Sequence, residues 1–328
     1  MKIAVFSSCE YDKEFLNRFN TGHDLTYYAV SLSEDTANLA TGFDAICIFV
    51  NDQANAPVLN ILNNLDIRLI VLRCAGFNNV DVAKANELGM RVVRVPAYAP
   101  EAVAEHAVAL MMTLNRKTHK AYNRVREGNF SLERLTGFNL FGKKVAVIGT
   151  GLIGRALCRI LKGFGCRIAA FDLYPNEELQ KMGVVYDTLE DTLEGADVIS
   201  LHCPLTEDTK HLINKRTLQL FKPGAMLINT SRGGLIDTKD VIQALKSGQI
   251  GYLGLDVYEQ EGDLFFQNRS EDVIQDELIT RLISFPNVLI TSHQGFFTKE
   301  ALEEIARISF ANVDAFLQGT PLVNEVVI

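Results

Sequence analysis

Three side chains have the types that hydride chemistry on a small acid requires, and each follows an apolar, strand-like run. Arg232 lies in L-I-N-T-S-R-G-G-L-I-D, Glu261 in L-D-V-Y-E-Q-E-G and His293 in L-I-T-S-H-Q-G. A carbonyl oxygen needs a proton as a hydride arrives at its carbon, and histidine titrates in the right range to give one. A glutamate beside that histidine favours the imidazolium and raises its pKa. A substrate carboxylate calls for a planar fork of donors, which arginine supplies and lysine does not. The set therefore points to interconversion of a 2-oxo acid and a 2-hydroxy acid. Taken singly, each residue has a blander reading: a packed histidine, a solvated glutamate, an arginine in a structural ion pair. Their placement at consecutive strand ends favours the chemistry, because open α/β sheets bind ligands beyond the carboxyl ends of their strands.

A hydride needs a carrier. Gly149, Gly151 and Gly154 form G-x-G-x-x-G between the apolar run K-V-A-V-I and the helical pattern L-I-G-R-A-L-C-R-I-L-K. The next run, R-I-A-A-F, leads into Asp172, at the distance from the glycines that the acidic member of such a motif takes. This strand–turn–helix–strand–acid arrangement is a dinucleotide-binding fingerprint. Gly149 permits the tight turn, Gly151 admits a pyrophosphate to the backbone, and Gly154 allows close helix–strand packing. The first helical turn, with Leu152 and Ile153, offers N–H donors to phosphate. Asp172 would accept from the ribose hydroxyls and repel a 2′-phosphate, and no arginine lies in 173–176, so NAD is expected rather than NADP.

These residues require a scaffold of alternating strands and helices. In the first part the apolar runs are Lys2–Phe6, Leu25–Val30, Ala45–Val50, Arg68–Arg73 and Arg91–Val95, with helical patterns at Pro57–Leu65 and Val80–Leu88. A second series, Lys144–Gly149, Arg167–Asp172, Val198–Cys203, Ala225–Thr230, Tyr252–Val257 and Val288–Ser292, is spaced like a six-stranded doubly wound sheet. Between them Ala99–Arg116 reads as a buried helix, with Pro100 and Glu101 suited to its first turn. Thr298–Gln318 reads as a last helix, and Tyr258–Pro286 as a long irregular stretch of the kind that often carries function. The fold class expected is α/β, with two doubly wound parallel-sheet domains. His106 reads as a packing residue of the buried helix, and His202 as a strand-end residue near the adenosine side. His23, His119 and His211 read as surface residues.

Composition narrows the partners. At 328 residues the chain suits about two domains. Its formal net charge of −8 disfavours nucleic acid and anionic membrane. The six cysteines include no C-x-x-C pair and fit no zinc spacing, as for free thiols in a reducing compartment. The sequence carries neither a signal-peptide pattern nor an apolar span of about 18 residues, so a cytoplasmic location is expected.

The motifs R-C-A-G-F-N-N-V-D (73–81), V-R-V-P-A-Y-A-P-E-A-V-A-E-H-A (93–107), F-S-L-E-R-L-T-G-F (130–138), V-I-G-T-G-L-I-G (147–154) and N-T-S-R-G-G-L-I-D (229–237) resemble those of the D-isomer-specific 2-hydroxyacid dehydrogenases. The resemblance runs along essentially the whole chain, and the branch it resembles most is that of the fermentative bacterial D-lactate dehydrogenases. It implies a Rossmann NAD-binding domain (100–296) inserted into a flavodoxin-like substrate domain (1–99 and 297–328). It also implies NADH-dependent reduction of pyruvate to D-lactate, with Arg232, Glu261 and His293 as the catalytic set. By the same resemblance Ala75 and Gly76 would meet the substrate carboxylate, Tyr98 would lie over the substrate, and Phe296, with Phe297, could close an apolar pocket on its methyl group. Cys203 and Pro204 would line the adenine pocket, Thr230 would sit at the cofactor edge, and Asp256 would lie near the nicotinamide carboxamide. A homo-oligomer, dimer or tetramer, is implied as well. The family's frequent Glu-Pro after D-V-x-x-x is Glu261–Gly262 here, a mark of the lactate branch. The alternatives are another 2-oxo acid as substrate, or an NAD(H)-sensing scaffold of the kind found among corepressors of this fold.

Overall fold

A computed structural model of the chain describes residues 1–327. The chain divides into two compact units, Met1–Ala99 with the segment from Phe297 onward, and Pro100–Phe296.

The first unit holds a five-stranded parallel sheet of β1 (Lys2–Val5), β2 (Asp24–Tyr27), β3 (Ala45–Ile48), β4 (Leu69–Leu72) and β5 (Arg91–Arg94), ordered β2-β1-β3-β4-β5. This is the flavodoxin-like order. β3 and β4 are buried at every position, as expected for parallel strands covered on both faces. One face packs Ile3, Val5, Ala45, Leu69, Val71 and Val93 against Ala306, Phe310 and Val313 of the last helix, Lys299–Gln318. Thr298 starts that helix by accepting from the Ala301 N–H at 3.2 Å, and Gly319 ends it with φ at 66°. The unit thus recovers its covering helix from the far end of the chain.

The second unit holds seven parallel strands: β6 (Lys144–Ile148), β7 (Arg167–Phe171), β8 (Val185–Tyr186), β9 (Val198–Leu201), β10 (Ala225–Asn229), β11 (Ile250–Leu255) and β12 (Val288–Ile290). Their order is β12-β11-β10-β9-β6-β7-β8, the dinucleotide-binding order with one strand more than the six expected. The extra strand, β8, is only two residues long and pairs with β7, too short to leave an apolar run in the sequence. Successive residues serve opposite faces. Ala146, Ile148, Ile199 and Leu227 join one core, and Val145, Val147, Val198 and Ile228 the other. The helix Pro100–Arg116 sends Ala104, Ala107, Leu110, Met111 and Leu114 into the second core. At Gly254 a Cβ would stand 3.1 Å from Leu114, so the missing side chain lets this helix lie close to β11.

The stretch expected to be irregular contains a 3₁₀ turn, Glu261–Asp263, and a helix, Glu277–Ile283, started by Asp276 accepting from the Leu278 and Ile279 N–H groups. His23 corrects a surface reading. Its side chain is buried, stacks on Phe310 at 5.8 Å and pairs with Asp314 at 3.0 Å. Among the described residues no helix is long and apolar enough to cross a membrane.

Candidate active site

The nucleotide turn sits where the strand order of the second unit reverses, between β6 and β9. Gly149 has φ at 93°, and a Cβ there would stand 2.5 Å from the Cys203 N and 2.7 Å from the His202 carbonyl carbon. Only glycine lets the two loops meet so closely. At Gly154 a Cβ would fall 2.0 Å from the Gly149 O. Gly151 is the N-cap of the helix Leu152–Gly163, and a Cβ there would meet nothing within 4 Å. A crowded turn that opens to free space at a helix N-terminus fits a pyrophosphate. Asp172, at the end of β7, accepts from the Thr150 N–H at 2.5 Å, the Thr150 hydroxyl at 3.0 Å and the Tyr174 N–H at 2.9 Å. Its carboxylate keeps acceptor capacity for a ribose hydroxyl. Two buried polar atoms along this edge have no hydrogen-bond partner among the described residues: the Thr230 hydroxyl after β10 and His202 Nδ1 after β9. Burial pushes the His202 imidazole down to about 4, so it stands neutral there, with Nε2 2.8 Å from the Ser200 hydroxyl. Cys203 is half-buried, its thiol pushed up to about 11 by burial, and Pro204 is exposed beside it. Leu152 is exposed and Ile153 packs partly into the core. These groups fit a dinucleotide.

Arg232, Glu261 and His293 stand past the carboxyl ends of β10, β11 and β12. Asn229 folds the turn after β10 by accepting from the Ser231 N–H at 3.0 Å and donating to the Arg232 carbonyl at 2.8 Å. The half-buried Arg232 donates through Nη1 to the Ser231 carbonyl at 2.7 Å. Next to it, Gly233 lies so close to the Glu261 loop that a Cβ would be 2.0 Å from the Tyr258 carbonyl carbon and 2.3 Å from the Glu259 N. Glu261 accepts from the Tyr258 N–H through Oε2 at 3.0 Å and faces His293 Nδ1 through Oε1 at 3.0 Å. An ionised carboxylate only accepts, so Nδ1 carries a proton. The other ring nitrogen, Nε2, makes no hydrogen bond among the described residues, and the ring lies 5.9 Å from that of Phe266. The pair is partly exposed, 18% for His293 and 26% for Glu261, so a ligand can reach it.

His293 has φ at 50°, uncommon for a residue with a Cβ. Asp256 holds it there. The Asp256 carbonyl accepts from the His293 N–H at 2.7 Å, and its carboxylate accepts from the Thr291 hydroxyl at 2.5 Å, the Gln294 N–H at 2.9 Å and the Gly295 N–H at 2.7 Å. The residue is 1% exposed. Burial alone would raise its carboxyl, but the bonds from His106, Thr291 and Gln294 outweigh burial and leave it lowered and ionised. The carboxylate placed near a nicotinamide by resemblance thus has its bonds within the chain. His106 lies 3.2 Å from it and 3.1 Å from the Thr291 hydroxyl, so it is a polar partner of this turn and not only packing. No local pattern announces this contact, because the partners are far apart in the chain.

The residues of the first unit lie beyond β4 and β5. Arg94 donates to the Ala75 carbonyl at 2.8 Å and covers the Phe77 ring at 5.1 Å, while the Cys74 thiol contacts the Gly76 carbonyl at 3.3 Å. The Ala75–Gly76 loop is therefore pinned through its carbonyls. Tyr98 is half-buried, and Phe297 packs edge-on to Tyr11 at 4.8 Å. Phe296, the last residue of the second unit, is buried. Among the described residues no group of three metal-ligating side chains exists.

Residues 108–295 match the family model described as D-isomer specific 2-hydroxyacid dehydrogenase, NAD binding domain. The chain is 52% identical over 329 residues to the D-lactate dehydrogenase of Escherichia coli K12, covering all of both chains. It is 52% identical over 332 residues to 2-hydroxyacid dehydrogenase A of Aspergillus oryzae, covering all of this chain and 95% of that one. Among solved structures, the pyruvate reductase of Chlamydomonas reinhardtii superimposes with a TM-score of 0.93 at 45% identity, over 99% of this chain and 98% of that one. A glycine turn fitted to a dinucleotide, two parallel sheets of matching order and relatives aligned end to end converge: the chain belongs to the D-isomer specific 2-hydroxyacid dehydrogenases and is an oxidoreductase that uses NAD.

Proposed function

We propose that the protein reduces pyruvate to D-lactate, and that Arg232, Glu261 and His293 carry the reaction. The observation that carries this reading is the His293–Glu261 pair at the carboxyl edge of the sheet, with Nδ1 tied to a carboxylate and Nε2 without a hydrogen bond among the described residues. When bound, NADH supplies the hydride that reaches the carbonyl carbon. His293, as imidazolium, gives its Nε2 proton to the carbonyl oxygen, so that oxygen gains a hydrogen as the carbon is reduced. Glu261 keeps the proton on Nδ1 and stabilises the imidazolium before transfer. In the reverse direction neutral His293 takes the hydroxyl proton back. Arg232 offers its fork to the substrate carboxylate and carbonyl, and its charge stabilises the oxyanion as it develops. On the family resemblance we read Ala75, Gly76 and Tyr98 of the first unit, and Phe296 of the second, as further substrate residues; Ala75 and Gly76 would offer their N–H groups to a carboxylate. Gly149, Gly151, Leu152, Ile153 and Gly154 would hold the pyrophosphate, Asp172 the ribose, Cys203 and Pro204 the adenine, and Thr230 the nicotinamide edge, where Asp256 would act through the turn it holds.

The preference for pyruvate among 2-oxo acids draws on the names of the relatives, a D-lactate dehydrogenase and a pyruvate reductase. We read the protein as a cytosolic homo-oligomer. Its six cysteines are unpaired, and Phe130, Leu132 and Phe141 of the second unit are at least 75% exposed, apolar side chains that a second copy would cover. The test is the loss of NADH absorbance with purified protein and pyruvate, followed by chiral separation of the lactate. Oxidation that yields D-lactate supports the reading. L-lactate, or turnover only with larger 2-oxo acids, overturns it.

A further inference from the structure

We propose that His106 is a positioning residue for the reaction, acting through Asp256 and Thr291 on the turn that presents His293. The proposal rests on the reading of His293 as the proton donor.

Most of the bonds on the turn 291–295 run to Asp256; besides these, the Thr291 N–H donates to the Leu255 carbonyl, the Phe266 N–H to the Ser292 hydroxyl, and His293 Nδ1 faces Glu261. His293 sits in the left-handed region at φ 50°, a conformation that persists only when its surroundings impose it. The bonds that impose it converge on Asp256: the His293 N–H on its carbonyl, and Thr291, Gln294 and Gly295 on its carboxylate. Gly295 is pressed against this group, and a Cβ there would lie 3.0 Å from Asp256 Oδ2 and 3.5 Å from His106 Cδ2. A carboxylate with 2% of its side chain exposed stays charged only if its environment supplies donors. Three of its donors belong to the turn it must hold. His106, on the helix Pro100–Arg116, is the donor from outside that turn, and its Nε2 must carry the proton because Asp256 only accepts. It also lies 3.1 Å from the Thr291 hydroxyl, which donates to Asp256, so one ring nitrogen fixes both the carboxylate and the residue that opens the turn. The helix is anchored in the core by Ala104, Ala107, Leu110 and Met111 on either side of His106, which makes it a rigid reference for the turn.

The experiment compares His106→Leu with His106→Gln. Leucine keeps the volume and removes the donor, whereas the amide nitrogen of glutamine reaches about as far as Nε2. Two quantities are read: hydrogen exchange of the 291–296 segment in the protein without added ligand, and kcat with pyruvate at saturating NADH. We expect H106L to raise exchange in that segment at least about tenfold and to lower kcat about 10- to 100-fold, the range of a donor misplaced by about 1 Å. H106Q should restore both to within about threefold of the parent. His106→Asn, polar but too short to reach Asp256, supplies the same contrast should H106L not fold. Unchanged exchange and kcat in H106L or H106N overturn the proposal. So does an H106Q protein as impaired as H106L, since the effect would then be packing. Failure of the parent protein to reduce pyruvate would instead count against the reading of the substrate, and the exchange measurement would still decide the role of His106.

Discussion

Replacing Gly233 by alanine tests whether the Arg232 turn and the Glu261 loop form one rigid unit. An added Cβ would lie 2.0 Å from the Tyr258 carbonyl carbon, 2.2 Å from its oxygen and 2.3 Å from the Glu259 N. All three are backbone atoms, so no side chain can swing aside. Ordinary van der Waals contact begins at 3.4 Å, so the turn and the loop must part by far more than the tenths of an ångström that packed neighbours can give. The turn carries Arg232, and the loop carries Glu261 with its bond to His293. A misplacement of about 1 Å between catalytic groups costs about a hundredfold in rate, about 2.7 kcal/mol. Overpacking itself costs about 1–3 kcal/mol of stability, which a chain of this size tolerates. The expected result is a folded protein whose kcat/KM for pyruvate is down at least about a hundredfold, while its Kd for NADH, read by fluorescence titration, stays within about threefold. The Gly149 turn is built by other loops, so cofactor binding has no reason to fall. A Gly233→Ala protein with kcat/KM within about threefold of the parent would refute the argument, because the two segments would then be able to separate without moving the reacting groups.

Replacing His293 by alanine should abolish turnover and leave NADH affinity nearly intact, and loss of both in a titration would remove its assignment as proton donor. Replacing Arg94 by glutamine deletes a charge-assisted bond to the Ala75 carbonyl, of the kind worth about 1.5–3 kcal/mol. It should raise KM for pyruvate at least about tenfold with little change in kcat, and a kcat loss at constant KM would contradict the carboxylate grip assigned to Ala75 and Gly76. His202 makes stability depend on pH. Its folded-state value is held down at about 4, while an unfolded histidine titrates near 6.5. The folded state therefore resists a proton that the unfolded chain accepts. The contribution is fully present above about pH 6.5 and is lost as pH falls toward 4, up to about 3 kcal/mol. Melting temperatures between pH 7 and 4.5 should fall less steeply in His202→Asn than in the parent, and parallel curves would show that His202 is not the titrating group.

Much of the active edge can be read without coordinates, because its signals are local. A glycine that must take positive φ, such as Gly149, stands beside the strand it ends and the helix it precedes, and a few residues carry the whole pattern. The same holds for Arg232, Glu261 and His293, each a polar residue just past an apolar run. His106 reads as core because its helix is apolar on most sides, and its polar partner Asp256 lies far along the chain, beyond most of the second sheet. His23 reads as exposed because nothing nearby in sequence announces Phe310 and Asp314. β8 leaves no trace because two residues carry no period.

Local sequence was enough to say which residues could form strands, where the nucleotide turn lies, that Arg232, Glu261 and His293 follow strand ends, and, through its motifs, the family. Periodicity and turn chemistry act over a few residues, so they survive in one dimension. It took the folded chain to establish that Gly233 must lack a Cβ, that a buried Asp256 sets the backbone of His293, that His106 lies against that carboxylate, and that the last helix covers the first sheet. Those are consequences of close packing between segments distant in sequence, where tenths of an ångström separate contact from clash and a buried charge persists only beside donors that the fold brings to it.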